Sequence, residues 1–229
     1  ALSDVGRRAF PTRTGRIVRG AVQCHPLTAD DFRRRVASRG ANGDAPSLAG
    51  DHVLNPGTEA MVGAAAMREA AVLVPIVARA EEASILLTTR SAALRKHSGQ
   101  IAFPGGAVDP GDGSPEAAAL REAEEEIGLT PNFVETLGRL PSYLSSTGYR
   151  IVPVLSIVSP GFGLKLNPDE VDDAFEVPLA FLMDAANHRL ESREWRGAAR
   201  TFYTMPFGDR YIWGVTAGIL RSLYERYYA

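Results

Sequence analysis

Cysteine is nearly absent: Cys24 is the only one in 229 residues. A single thiol excludes an intrachain disulfide and fits a reducing compartment, with cytoplasm as the expected setting. Nothing in its neighbourhood marks Cys24 as an activated nucleophile. Long apolar runs are missing as well. The longest, Ala70 to Ala78, is strand-sized and well short of the ~18–20 residues that a membrane span needs. The first residues are dotted with arginine rather than apolar, so no secretory leader is visible and no membrane partner is expected. An excess of positive charge is lacking too. With 25 Lys and Arg against 27 Asp and Glu, the formal charge of −2 gives no electrostatic case for binding nucleic acid. The remaining composition is that of a globular chain, long enough for one domain with elaborations and short for two.

What is present is a concentration of carboxylates. Arg121-Glu122-Ala123-Glu124-Glu125-Glu126-Ile127-Gly128-Leu129 places Glu122, Glu125 and Glu126 at i, i+3 and i+4. On a helix these positions fall within roughly 100° of arc. Like charges so close destabilise a helix unless positive charge sits among them, and carboxylate oxygens are what Mg²⁺ takes, alongside water and phosphate. Leu120, Ala123 and Ile127 give the same helix an apolar side. Phe103 to Gly113 is a glycine-dense loop leading to Ser114, the expected N-cap, and Pro115 at the first helical position. A glycine loop opening onto a helix N-terminus suits a phosphate and metal site.

Gly106 through Leu129 resembles the Nudix box. Its second half is filled at every defined position by Arg121, Glu122, Ala123, Glu125, Glu126, Gly128 and Leu129. The first half departs: Gly113 stands where the usual spacing puts a Glu, and the loop is one residue longer, with Asp109, Asp112 and Glu116 as the nearby acids. The stretch Leu86 to Gly106 resembles the signature that precedes the box in the coenzyme A pyrophosphatase branch. Leu86-Leu87-Thr88, Arg90-Ser91, Arg95, Gly99 and Phe103-Pro104-Gly105-Gly106 occupy its fixed positions.

The resemblance implies an α/β fold, a Nudix-like α/β/α sandwich with a mixed sheet, and hydrolysis of the diphosphate of coenzyme A or its acyl or oxidised derivatives to 3′,5′-ADP and 4′-phosphopantetheine. Mg²⁺ or Mn²⁺ is the implied cofactor, with Glu122, Glu125 and Glu126 as ligands and Glu122 also a candidate base. Arg121 joins the catalytic set by orienting Glu125. Arg90 and Arg95 are the candidates for substrate phosphates, with Lys96 and His97 as solvated neighbours; Gly105 and Gly106 bring backbone to the substrate. Glu170 is the candidate acid from outside the helix, ahead of Glu176. Tyr203, Tyr211 and Trp213 line either the core or a pocket for adenine or pantetheine, with core the commoner use. The alternatives are a hydrolase of ADP-ribose or dinucleotides, and a non-catalytic nucleotide-sensing module.

Residues 1–69 form an N-terminal extension and 70–229 the hydrolase domain. Thr28 caps a helix over 29–38 within the extension, and 39–58 is expected as loop. The extension packs on the core or on a partner subunit, which is the reason to expect a homodimer. Strands are expected over 71–77, 84–89, 100–103, 133–140, 150–158 and 171–177, followed by a short helix over 179–184, with a hairpin over 190–204. Pro75 suggests an edge strand or a bulge, and helical periodicity runs over 212–227.

Overall fold

A computed structural model describes residues 27–40, 49–56, 67–94, 97–195 and 197–229. Cys24, Arg95 and Lys96 lie outside the described residues. The apolar run becomes β1 (Arg68–Val77), a strand buried on both faces over most of its length. It pairs in parallel with β7 (Tyr149–Val158), residue for residue from Arg68 opposite Tyr149 to Val77 opposite Val158. The remaining pairings are antiparallel: β2 (Ser84–Arg90) on the other side of β1, β3 (Ile101–Ala102) beside β2, and β5 (Val134–Arg139) beside β7. Three further strands attach to this mixed sheet: β4 (Gly105–Ala107) to β1, β6 (Tyr143–Ser145) to β7, and β8 (Val171–Pro178) to β2.

Alternation along β1 sends side chains to two cores. Ala71, Leu73 and Val77 meet Ala118, Ala119, Ala123 and Ile127 of α3 (Pro115–Ile127). Val74 and Ile76 on the opposite face join Phe32 and Val36 of α1 (Ala29–Arg39) and Ile219, Leu220 and Leu223 of α5 (Gly214–Tyr227). Helices on both faces of one mixed sheet make the expected α/β/α sandwich. Two shorter α-helices among the described residues are α2 (Asp51–Leu54) and α4 (Leu179–Leu182). A second sheet of β9 (Arg189–Trp195), β10 (Ala198–Phe207) and β11 (Arg210–Trp213) stands against α5.

Thr28 caps α1 as expected, its hydroxyl accepting from the Asp31 N–H at 3.1 Å. This helix packs on its own chain: the Phe32 and Tyr227 rings meet edge-on at 6.0 Å, and Arg35 donates to the Tyr227 carbonyl at 3.0 Å. The described helix of the extension thus packs on the core of its own chain. Within the segment expected as loop, α2 forms because Asp51 is tied down, accepting from the Tyr143 hydroxyl and the Ser146 N–H, each at 2.8 Å.

Two expectations fail on tertiary grounds. Pro75 lies on a central strand, between β2 and β7. Its missing N–H is tolerated because that side of β1 changes partner there, from Val72 opposite Gly105 to Ile76 opposite Ile85. Ile212 and Trp213 are strand, not helix: Ile212 pairs with Met205, and only at Gly214, with φ +62°, does the chain turn into α5. Ile212 lines the same core as Ile219, so its apolar spacing mimics a helical stripe.

Leu155 sits at the centre of β7 with no exposure. Leu155→Ala is expected to cost about 2–5 kcal/mol in urea denaturation, the range for deleting a leucine from a packed core; an unchanged midpoint would mean that this face of the sheet is not the core.

Candidate active site

Ser114 accepts from the Ala117 N–H at 3.1 Å and Pro115 opens the helix, so α3 starts where its sequence places it. Gly128, in the left-handed region at φ +70°, ends it, and the chain returns as Lys165 and Asn167 donate to the Ile127 and Glu126 carbonyls, each at 2.9 Å. That return brings Glu170 to the site; the Ser91 N–H holds the Glu170 carbonyl at 2.8 Å.

Glu122 and Glu126 face inward. Glu126 retains only 5% side-chain exposure and Glu122 17%. The Glu126 carboxylate accepts from the Gly105 N–H at 3.1 Å and lies 3.7 Å from the Arg90 guanidinium. The glycine pair makes this close approach feasible. A Cβ at Gly106 would fall 2.5 Å from the Glu122 carboxyl carbon, and one at Gly105 would fall 2.4 Å from the Ala71 carbonyl oxygen. Sequence reasoning saw the glycines as a loop; the structure draws them into β4, where Gly106 leaves room for Glu122 and Gly105 lets the strand lie close against β1.

Arg121 gathers the acids around it. It bonds Asp112 through two nitrogens at 2.8 and 3.0 Å, Glu122 at 3.0 Å and Glu125 at 2.9 Å. Its pKa is raised, first by the hydrogen bond to Asp112, whose own carboxyl is lowered by the same contact. Asp112 thereby anchors Arg121 from the loop in which Gly113 stands for the usual acid. Glu116 instead pairs with Arg139 and is held low by it.

Glu125 is separated from the other two glutamates. It is 56% exposed, bonded to Arg121, and does not line the cavity that the other two face. The reason is helical: Glu125 and Glu126 stand ~100° apart, so only one can turn toward the sheet. Glu176 is engaged elsewhere, with Arg79 and Ser84.

The cavity measures about 820 Å³ and is lined by Glu122, Glu126, Glu170, Arg90, Gly105 and Gly106 among others. Burial pushes the Glu126 carboxyl up to about 7, with the charges of Glu122 and Glu170 adding to the rise. Glu122 is raised for the same reason, against the pull of Arg121. Two buried carboxylates with a third facing them would hold negative charge far more easily around a divalent cation. Among the described residues no three acidic, histidine or cysteine side chains already close on one ion. The donor set fits a cation shared with water and substrate oxygens, which is how Mg²⁺ is commonly held. Arg90 lines the cavity, and its Nε is buried with no hydrogen-bond acceptor among the described residues.

Of the aromatics singled out from sequence, Trp213 lines the cavity, Tyr203 packs against the core, and Tyr211 stands beside Trp213 with ring centroids 6.4 Å apart. Phe202 lines the cavity in place of Tyr203, because neighbours on β10 face opposite ways. The sequence offered no way to choose that parity. It also gave no signal for Asp51 and Asn55, which reach the cavity wall from α2.

A model of the NUDIX domain matches residues 67–197. The uncharacterized Nudix hydrolase NudL of Escherichia coli K12 is 46% identical over 156 residues, covering 68% of this chain and 81% of that one. The same protein from Shigella boydii matches equally. Among solved structures, the Ap4A hydrolase of C. elegans in a binary complex aligns with 24% identity and a TM-score of 0.41, covering 48% of this chain and 80% of that one. The NUDIX domain of Shewanella oneidensis NrtR complexed with ADP ribose aligns with 21% identity and a TM-score of 0.40, covering 56% and 82%.

The raised Glu126 pKa has a definite sign in stability. Between the ordinary value of 4.5 and about 7 the folded chain holds a proton that the unfolded chain has lost. Metal-free stability therefore falls as pH rises through that window. Asp112 and Glu116, held low, act below it, where stability is lost as pH falls. Urea denaturation in chelator is expected to show the decline, and Glu126→Gln to make it shallower. An equal slope in the variant would contradict burial as the cause.

Proposed function

Because this chain belongs to the Nudix family of hydrolases, which act on pyrophosphate bonds, we propose that it cleaves the diphosphate of coenzyme A or its derivatives. One observation carries the reading: the segment that resembles the coenzyme A signature delivers Arg90, with its buried unpartnered Nε, to the same cavity as Glu122 and Glu126. A diphosphate is an acceptor suited to that donor, and a guanidinium meets phosphate oxygens in a planar, bidentate way. The products are 3′,5′-ADP and 4′-phosphopantetheine, or its acyl form.

Glu122 and Glu126 hold Mg²⁺ or Mn²⁺ in this reading, with Glu125 the outermost of the three ligands. When bound, the cation neutralises charge on the diphosphate oxygens and lowers the pKa of water. The chain's own residues do the rest. Arg121 keeps Glu122 in place through its bonds to Glu122 and Asp112. Gly105 and Gly106 let the diphosphate approach the backbone. Arg90, with Arg95 from the same segment, neutralises the substrate phosphates. Glu122 or Glu170 takes the proton of the attacking water as the phosphorus–oxygen bond to the leaving phosphate breaks. Both line the cavity, and burial raises the affinity of Glu122 for a proton. A cavity of this size and the single cysteine fit a cytoplasmic small-molecule enzyme; among the described residues no helix is long and apolar enough to cross a membrane.

Coenzyme A incubated with Mg²⁺ or Mn²⁺ is expected to yield both products by mass spectrometry. Glu122→Gln should lower kcat by about 10²–10⁴-fold, the range a positioned proton-transfer group supplies, and Glu126→Gln should lower it through weakened cation binding. Efficient hydrolysis of ADP-ribose with coenzyme A left intact would select the alternative hydrolase, and binding without turnover of either would select the sensing module.

A further inference from the structure

The second sheet presents to the cavity a group of side chains that the hydrolytic chemistry does not use. Arg193 on β9 and Arg200 on β10 are direct cross-strand partners, and both line the cavity. Like charges directly opposite on paired strands repel, and a phosphate bound between them would offset that repulsion; Glu194 lines the cavity beside them. Phe202 and Trp213 line the same wall, with ring centroids 5.3 Å apart at 62°. The Arg193 guanidinium carbon is 5.7 Å from each of these two ring centroids. Its other neighbour is Tyr211, whose hydroxyl lies 3.4 Å from Arg193 and donates to Glu191 at 2.7 Å. The wall is held in place from outside the second sheet. Asn55 pairs with the Thr201 backbone like a strand partner, accepting from its N–H at 2.8 Å and donating to its carbonyl at 2.9 Å. Arg200, Phe202 and Trp213 all lie beyond the 67–197 span that the NUDIX model matches, as Asn55 lies before it.

Two guanidiniums across one strand pair suit a phosphate monoester, whose three free oxygens and near-double charge accept bidentate donors. Aromatic faces beside them suit a purine, since every base has a face that stacks. We propose that Arg193, Arg200, Phe202 and Trp213 form a subsite for the 3′-phosphoadenosine end of the substrate, distinct from the Glu122–Glu126 centre where the bond is cut. This deepens the coenzyme A reading and rests on it. It makes the 3′-phosphate, and not the diphosphate alone, the group that separates coenzyme A from other nucleoside diphosphate conjugates.

The test compares coenzyme A with 3′-dephospho-coenzyme A, using the full chain with Mg²⁺. The kcat/KM ratio between the two cancels any loss they share, including a change in fold. The unaltered protein is expected to favour coenzyme A by about 10–100-fold, the size of one charge-assisted hydrogen-bond set. In the Arg193→Gln/Arg200→Gln double variant that preference should collapse toward one, and Arg200→Lys should keep part of it. A preference that survives in the double variant, or that is absent in the unaltered protein, overturns the subsite. Calorimetry with 3′,5′-ADP against 5′-AMP reads the same subsite without turnover. Tighter binding of 3′,5′-ADP, lost in the double variant, supports the subsite even if coenzyme A is not cleaved, a result that would sink the coenzyme A reading alone. Equal affinities overturn the subsite even if coenzyme A is cleaved.

Discussion

The structure depends on a concentration of negative charge held where water cannot screen it. Glu126 is almost fully buried and Glu122 partly buried, one turn apart on α3, with Glu170 facing them. Burying a carboxylate without a partner is costly, and placing several together compounds the cost. The chain meets that cost locally with the Gly105 N–H, Arg90 and Arg121, and leaves Glu126 poised near neutral pH. Such a centre is matched to a doubly charged ion and to phosphate oxygens that arrive with it.

The fold around this centre exists to hold α3 against the sheet at the level of the glycine strand. Parallel pairing of β1 with β7 fixes one side, and the antiparallel hook of β4 onto β1 fixes the other. Alanines at 118, 119 and 123 allow the helix to approach the sheet closely, which brings Glu122 against Gly106. The N-terminal extension contributes from outside this frame: α1 closes the far face, and α2 reaches round to brace the second sheet through Asn55. The cavity wall that carries Glu122 and Glu126 and the wall that carries Arg193 and Arg200 are thus built from different parts of the chain.

Local features were the legible ones. Ser114 and Pro115 opened the helix where expected, Gly128 closed it, and apolar runs named the central strands, because caps, turns and burial on both faces leave their mark within a few residues. The carboxylate spacing singled out α3 but not which two glutamates turn inward, since that depends on the ~100° between Glu125 and Glu126 and on where the sheet lies. Asp112 as the anchor of Arg121 was hidden by the longer loop. Arg193, Arg200, Phe202 and Asn55 carried no signal at all. Their relation arises from pairing between strands and from a contact between residues far apart in sequence, Asn55 and Thr201. Ile212 misled for a related reason: a residue at a strand end and a residue of the following helix filled one core, and so shared a periodicity.

The most direct measurement is Mn²⁺ binding followed by its electron paramagnetic resonance signal, with the unaltered protein and with Glu126→Gln. If the buried pair is a cation site, the free Mn²⁺ signal disappears on titration near neutral pH, and the affinity drops as pH falls below about 7, where Glu126 regains its proton. Glu126→Gln should bind far more weakly and lose that pH dependence. Equal affinity in the two proteins, with the same pH profile, would contradict the claim that these buried carboxylates are there to hold a divalent ion.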